Sequence, residues 1–230
     1  MKSFLKNELS GWKKWDVIWL VIATVIILGV SLYFKEDAVG IFCALTGVWC
    51  VILTGKGKLS SYIFGTINVI LYAYVAFGAK YYGEVMLNLI YYFPMNFVGF
   101  FAWKKHMNEE NSEVLKKRIP LKKSLLIYAA TAVAIFVYGL LLRHMGGKLP
   151  FVDSMSTVIS VVAQILCIMR LAEQWVLWIV VDVITVIMWA FAFANGGESV
   201  ATLLMWIVYL LNGIFMFVKW HKEAREENAV

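Results

Sequence analysis

Apolar residues along this chain are gathered into eight long runs, separated by short polar breaks. Each run is close to the roughly 20 residues that a helix needs to cross the hydrocarbon core of a membrane. The breaks carry turn-forming sequences such as Gly55-Lys56-Gly57-Lys58 and Asn195-Gly196-Gly197. The pattern predicts eight transmembrane helices, at about 17–34, 38–54, 59–79, 84–103, 124–143, 152–169, 174–194 and 198–218.

The composition is that of an integral membrane protein. The 230 residues are 62% apolar and 16% charged, whereas soluble domains are about 45–50% apolar and about 25% charged. No polar stretch is long enough to form a soluble domain, so residues 1–230 are predicted to be a single membrane domain. The first apolar run has no small-residue cleavage site after it, so we expect it to be retained as a helix rather than removed as a signal.

Lysine and arginine are concentrated in alternate loops. If the N-terminus is cytoplasmic, only Lys35, Lys80, Arg143 and Lys148 lie outside, which leaves 17 of the 21 in the cytoplasm. This positive-inside bias predicts that both termini are cytoplasmic. It also explains the net charge of +6 without a nucleic-acid partner. The longest and most charged loop, residues 104–123, is expected to be a solvated cytoplasmic linker.

The chain repeats itself weakly at an offset of 114 residues. Gly83-Glu84 recurs as Gly197-Glu198, and Asn68 is matched by Asp182. The predicted architecture is 1 + (3 + 1 + 3): an extra helix at 17–34, a three-helix repeat at 38–106, a linker helix at 124–143 and a second repeat at 152–220. Parallel three-helix repeats joined by one helix resemble the plan of the SWEET transporters. In such folds the substrate lies near the midplane between the repeats.

The central candidate is the apolar stretch from Trp175 to Trp189, because it carries an acid. Trp175, Trp178 and Asp182 share one helix face with Thr185 and Trp189. A carboxylate near the bilayer centre costs roughly 2.5–3.5 kcal/mol on insertion scales, so we expect it to face a cavity or a partner. The indoles would form a flat pocket wall. The alternative is a packed helix whose Asp182 bonds to a neighbouring helix.

Other polar and aromatic residues near the middle of the predicted spans complete the candidate site. Amides, hydroxyls and one acid framed by aromatic rings suit a neutral or cationic ligand with several hydroxyls, and no lysine or arginine lies at depth to hold a phosphate. Each amide could instead join two helices. The further candidates are Gln164, Asn88, Tyr91, Asn212, Tyr209, Asn68 and Phe64, of which Phe64 and Asn68 are the repeat equivalents of Trp178 and Asp182.

Several other residues are given structural roles. Glu84 and Glu198 follow a glycine at helix starts, where a carboxylate stabilises the helix dipole. Thr157 and Ser160 are expected to bond their own backbone. Five tryptophans near the ends of the spans are expected to act as interfacial anchors: Trp12, Trp15, Trp19, Trp103 and Trp220. The three cysteines and three histidines show no spacing typical of a disulfide framework or a metal site, and no cofactor is predicted.

Two segments of the chain resemble the PnuC family of vitamin transporters, which are related to SWEETs. They are Tyr82-Gly83-Glu84-Val85-Met86-Leu87-Asn88 with Tyr91 and Tyr92, and Glu173-Gln174-Trp175 running to Asp182. The resemblance covers about residues 38–220. It implies facilitated diffusion of nicotinamide riboside across a bacterial inner membrane, with a cytoplasmic kinase retaining the product. It also implies a homo-oligomer, with a trimer as one possibility.

Two alternatives to a nicotinamide riboside transporter stay open. The first is a transporter of another vitamin or small solute, such as thiamine or a sugar, since related families carry other vitamins on the same fold. The second is an intramembrane enzyme or a lipid-interacting structural protein. An enzyme would need a nucleophile–base pair or metal ligands at depth, which the sequence does not offer.

Overall fold

The computed structural model describes residues 7–146, 150–196 and 200–227, and eight helices within these ranges are long and apolar enough to span a membrane. The predicted all-α membrane fold is therefore confirmed. Gly197 and Glu198 lie outside the described residues. The helices are α1 (Lys14–Tyr33), α2 (Ala38–Lys56), α3 (Ser60–Gly78), α4 (Tyr82–Lys104), α5 (Leu121–His144), α6 (Pro150–Ile168), α7 (Gln174–Ala194) and α8 (Val200–Glu227).

Six of the helices form a closed ring. In order around the ring, α2 packs on α3, α3 on α4, α4 on α6, α6 on α7, α7 on α8, and α8 on α2. The remaining two lie outside it, with α1 against α2 and α8 and α5 against α6. The first helix of each predicted repeat thus packs on the last helix of the other repeat. This arrangement is the one expected for two parallel repeats related by a pseudo-two-fold axis.

Helix α4 contains a wider turn in its first half. Residues Leu87–Tyr92 are π-helical, and the α-helix resumes at Phe93. Pro94, which lacks a backbone donor, follows this turn directly, so the π turn accommodates the missing hydrogen bond. A four-residue step overshoots one turn of an α-helix and falls short of one turn of a π-helix. The π turn therefore cancels the drift of the α-helical turns and keeps a series of four-residue steps on the same face of α4.

Residues 105–120, called the strap below, join α4 to α5 and fold across the end of the bundle that carries both chain termini. Lys58, in the turn between α2 and α3, is fully buried and donates to the backbone oxygen of Asn111 at 2.8 Å. The Val114 N–H donates to the Gly57 oxygen at 2.9 Å. These bonds attach the first half of the strap to the α2–α3 turn.

The second half of the strap is attached to the turn between α6 and α7. The Lys117 N–H donates to the Arg170 oxygen, and the Lys117 oxygen accepts from the Ala172 N–H, both at 2.8 Å. The Ile119 N–H donates to the Glu173 carboxylate at 3.0 Å. The α2–α3 and α6–α7 turns hold equivalent positions in the two predicted repeats, so the strap joins one to the other.

A buried network of ion pairs surrounds Glu113 of the strap. Its carboxylate lies 2.8 Å from the Lys56 ammonium of α2 and 3.0 Å from that of Lys116. Lys56 also pairs with Asp16 of α1 at 2.8 Å, and Lys116 with Glu223 of α8 at 2.5 Å. Burial alone raises the pKa of Glu113, but Lys116 and Lys56 outweigh burial and hold this pKa below its ordinary value. Glu113 is therefore ionised at neutral pH.

The expectation that residues 104–123 form a solvated linker is wrong for the middle of this loop. Val114 has no exposed surface, and Glu113 and Lys116 are also buried. A run of charged residues has the same sequence signature whether its charges are hydrated or paired with partners distant in the chain. The partners of this loop, Lys56 and Glu223, cannot be recognised from sequence spacing.

Close contact between α2, α3 and α8 depends on Gly47. A Cβ added there would overlap the Tyr209 hydroxyl and lie 2.5 Å from the Met205 sulfur and 2.7 Å from the Asn68 amide. We expect Gly47→Ala to destabilise the protein by about 1–3 kcal/mol through overpacking, measured as a lower midpoint of thermal unfolding in detergent. Gly29→Ala is the matched control, because nothing lies within 4 Å of a Cβ there. Equal midpoints for the two variants would contradict the close packing.

Candidate functional site

A cavity of about 140 Å³ lies inside the ring of six helices. All six ring helices contribute side chains to its wall, and α1 and α5 contribute none. A single water molecule requires roughly 10–15 Å³ counted in this way, so the cavity has room for a small organic molecule. Asn68 and Asp182, which line the cavity, lie near the middle of α3 and α7.

The cavity brings together seven of the ten candidate residues from the sequence. Of the five residues on the α7 candidate face, Trp175, Trp178 and Asp182 are among these seven, and Thr185 also lines the cavity. The fifth, Trp189, is fully buried beyond it. The seven are Trp178, Asp182, Gln164, Asn88, Tyr209, Asn68 and Trp175.

Asp182 is a buried carboxylate without a protein partner. Its side chain is only 3% exposed. Within the described residues, no group donates a hydrogen bond to this carboxylate or forms an ion pair with it. The alternative of an aspartate bonded to a neighbouring helix therefore finds no support in the described contacts. An unpaired charge in this environment is costly, so a cation bound in the cavity would stabilise the carboxylate.

The cavity wall also contains polar groups without partners. Asn96 Nδ2, Trp175 Nε1 and Trp206 Nε1 are buried donors with no hydrogen bond. The Asn68 amide is more constrained, since it donates to the Cys43 oxygen at 2.8 Å. Buried polar groups in proteins are nearly always hydrogen-bonded, so unpartnered donors around one cavity indicate a ligand with several acceptors.

Aromatic rings form opposite parts of the wall. Trp178 of α7 and Tyr92 of α4 are half-buried, with ring centroids 6.3 Å apart and planes inclined at 39°. The Trp178 indole is held by a hydrogen bond from Nε1 to the Gln174 side-chain oxygen at 3.3 Å. On α8, Trp206 and Tyr209 have centroids 5.0 Å apart. These rings present flat surfaces to which a planar ligand group can stack.

Three candidate residues lie outside the cavity wall and have structural partners. The buried Asn212 amide donates to the Val51 oxygen at 3.1 Å and accepts from the Trp19 indole at 3.2 Å. The Tyr91 hydroxyl donates to the Val161 oxygen at 2.9 Å. Phe64 packs edge-to-face on Trp49. Their sequence positions share a helix face with cavity residues, but each side chain joins neighbouring helices instead.

Three cavity residues were given other roles, or none, on sequence grounds. Glu84 lies in the first turn of α4, as expected for a helix-dipole role, but its side chain lines the cavity and faces Ser156. Ser160 and Asn96 line the cavity as well. The signal that could have identified Asn96 is the series of four-residue steps from Glu84 through Asn88 and Tyr92. The π turn keeps this series on one face as far as Asn96, because it cancels the drift of the α-helical turns.

An aromatic layer closes the cavity beneath the strap. Tyr62 and Trp175 line the cavity, and Trp103 and Trp220 lie behind them with no exposed surface. The ring centroids are 5.1 Å apart for Tyr62–Trp103, 6.1 Å for Trp103–Trp220 and 5.7 Å for Trp175–Trp220. The expectation that Trp103 and Trp220 are interfacial anchors is therefore wrong. These four residues are called the aromatic floor below.

A second aromatic layer closes the opposite end. The Trp189 indole donates to the Tyr72 hydroxyl at 3.1 Å, and its ring lies 5.3 Å from that of Tyr81. Tyr72 also contacts Trp206 at 5.7 Å. Within the described residues no group of histidine, cysteine or acidic side chains is arranged to hold a metal ion. The cavity thus lies between two aromatic layers.

Residues 37–222 match a family model described as nicotinamide mononucleotide transporter. Among curated proteins, the chain is 43% identical to the nicotinamide riboside transporter PnuC of Neisseria mucosa over 97% of this chain and 87% of that protein. It is 34% identical to the protein of the same name from Haemophilus influenzae over 97% of each chain. It is 28% identical to the one from Escherichia coli, over 84% of this chain and 87% of that protein.

A solved structure is similar over almost the whole chain. It is described as a crystal structure of the vitamin B3 transporter PnuC, and the two chains are 42% identical. They superpose with a TM-score of 0.89, covering 98% of each. The ring of helices is therefore shared with that transporter.

The contacts of Asn212 predict a structural role for this residue. Asn212→Ala leaves the Trp19 indole without its acceptor and removes the side-chain bond to the Val51 oxygen, so we expect a loss of about 1–3 kcal/mol of stability, measured by thermal unfolding. Asn88→Ala is the control, because the Asn88 amide lines the cavity and bonds only within α4. A larger loss of stability in the Asn88 variant would contradict this assignment.

Proposed function

The chain belongs to the nicotinamide mononucleotide transporter family, and on this basis we propose that it carries nicotinamide riboside across the membrane by way of the central cavity. Because the family consists of transporters, the chain is a transporter and not an enzyme. The proposed substrate follows the relatives named nicotinamide riboside transporters. The family description names the mononucleotide instead, so the chemistry of the cavity has to favour one of the two.

The unpaired carboxylate of Asp182 is the observation that favours the riboside over the mononucleotide as the substrate. The nicotinamide ring of the riboside is a pyridinium cation, which supplies the charge that Asp182 lacks. The cavity wall also contains Glu84 but, among the described residues, no lysine or arginine. A phosphate dianion would meet two acids and no cation, and like charges brought together cost several kcal/mol. The cavity therefore suits a cationic nucleoside better than its phosphate ester.

The aromatic and amide groups of the wall support the same ligand. A pyridinium ring stacked on the Trp178 indole gains about 0.5–2 kcal/mol, and more when desolvated. Tyr92 lies beside Trp178 and extends the aromatic surface that the ligand can contact. Gln164 and Asn96 supply donors and acceptors for the ribose hydroxyls and the carboxamide.

The ring of helices supports facilitated diffusion through alternating access. Both predicted repeats line the cavity, so a relative movement of the repeats would open it to either side. The bound cation neutralises Asp182, and this charge balance requires no accompanying ion. Net transport would then follow the electrochemical gradient of the cationic substrate, without a coupled ion.

We also infer the orientation and cellular location from the charges. The strap end carries most of the lysines and arginines, so it is assigned to the cytoplasm, with both termini inside. The named relatives come from Gram-negative bacteria, and the bacterial inner membrane is the proposed location. A homo-oligomer is proposed on the basis of the family resemblance, and a trimer is one form that solution measurements can test.

The substrate assignment predicts a specific order of affinities in calorimetric titration of the purified protein. Nicotinamide riboside should bind at least roughly 100-fold more tightly than nicotinamide mononucleotide, because of the phosphate charge. Thiamine and riboflavin are titrated in the same way, because a transporter of another vitamin is the alternative. Trp178→Ala should weaken riboside binding by about 1–3 kcal/mol, or about 5- to 150-fold. Trp15→Ala is the control, since Trp15 is 60% exposed and outside the cavity.

Asp182→Asn keeps the side-chain shape and removes the charge. It should weaken binding of the riboside cation more than binding of its neutral, reduced analogue. Equal binding of riboside and mononucleotide would contradict the substrate assignment. Wild-type affinity in Trp178→Ala, with normal folding, would assign this helix face to packing instead.

The orientation predicts which loops can be labelled from outside the cell. Asn111→Cys lies in the strap and Gly146→Cys at the opposite end, both in a chain whose native cysteines are replaced. An impermeant thiol reagent should modify the cysteine at 146 in intact spheroplasts and the cysteine at 111 only in inverted vesicles. The reverse pattern would overturn the assignment.

A further inference from the structure

The aromatic floor divides between the two predicted repeats. Tyr62 and Trp103 belong to the first repeat, and Trp175 and Trp220 to the second. A ligand can leave the cavity at the strap end only if these rings separate. Val114 of the strap is buried in the same apolar cluster as all four rings, so the strap is part of the closure rather than an appendage to it.

Ion pairs of the strap connect the two sides of the aromatic floor. Lys56, on α2 of the first repeat, pairs with Glu113 at 2.8 Å. Glu113 pairs in turn with Lys116 at 3.0 Å, and Lys116 with Glu223, on α8 of the second repeat. The Lys116 ammonium also lies 5.7 Å from the Trp220 ring centroid. Glu113 is the acid shared by both lysines, so this ionic connection between the repeats passes through it. A second connection runs from Lys56 through Asp16 of α1 to Lys219 of α8, whose ammonium lies 3.2 Å from the Asp16 carboxylate.

The second half of the strap is fixed to the second repeat. It forms backbone bonds with Arg170 and Ala172, and its end continues into α5, which packs on α6. The Tyr128 hydroxyl of α5 donates to the Glu173 oxygen of the α6–α7 turn at 3.2 Å. A movement between the repeats therefore has to change the contacts of the first half of the strap, which include the ion pair of Glu113 with Lys56 and the bonds of Lys58 and Val114, and not those at the α6–α7 turn.

We propose that Glu113, Lys56 and Lys116 form an ionic latch that holds the strap end of the cavity closed and is released when the cavity opens to that end. Buried ion pairs suit this role, because their charges recover hydration when water enters, which offsets much of the lost attraction. The latch rests on the proposed transport function only in assuming that the cavity opens at this end.

The native Cys50 provides a reporter, because it lines the cavity and is half-buried. Cys43 and Cys167 are replaced by alanine, and an impermeant maleimide is applied on the strap side of vesicles. Glu113→Gln should raise the rate of Cys50 labelling from this side by about tenfold or more, because the closed population falls. Labelling from the opposite side should not rise. The matched control is Glu110→Gln, which removes the same charge from an exposed position of the same strap.

Glu113→Gln removes the shared carboxylate from two buried lysines, so it could lower the stability of the whole protein. The double variant Glu113→Gln/Lys116→Gln removes one charge of each sign, and Lys56 keeps Asp16. The latch requires faster strap-side labelling in this variant as well. Unchanged labelling in the double variant, an equal rise in Glu110→Gln, or a rise from both sides would each overturn the proposal. The labelling uses no substrate, so its outcome is independent of whether nicotinamide riboside is the ligand.

Discussion

The constraint on which this structure depends is the cost of an unpaired charge inside a membrane. Asp182 is buried near the middle of α7, with no described protein partner. A carboxylate facing lipid there would disfavour insertion of the helix, so α7 has to turn this face inward. The other five ring helices then surround it, and each contributes side chains to the cavity. The polar groups of the cavity are stable only because lipid is excluded from them.

The same constraint has a different solution at the strap. Glu113 is also a buried carboxylate, but two lysines compensate its charge. Paired charges satisfy each other within the fold, whereas Asp182 has no partner among the described residues. The contrast separates the two acids by role. A permanently compensated acid can hold helices together, and an uncompensated acid beside aromatic rings and unpartnered amides is suited to binding a cation.

The spans and the central candidates could be predicted because they depend on properties local in sequence. The apolar lengths predict eight helices, and helical spacing places Trp178 and Asp182 on one face. The spacing argument is weaker for residues such as Asn212 and Phe64, because it defines a face but not the neighbour that the face meets. Asn96 required knowledge of the π turn in α4. The strap required tertiary partners: Glu113 is one of several acids in its loop, and only folding brings Lys56 beside it.

The strap also makes the two ends of the transporter unequal. Two parallel repeats, as predicted from the sequence, would have equivalent helices on both sides of the cavity, whereas the strap lies at the end where α1 begins and α8 ends. That end is closed by aromatic rings together with backbone bonds and ion pairs. The opposite end is closed by aromatic contacts around Trp189. Because different interactions close the two ends, single substitutions can alter the opening of one end without altering the other.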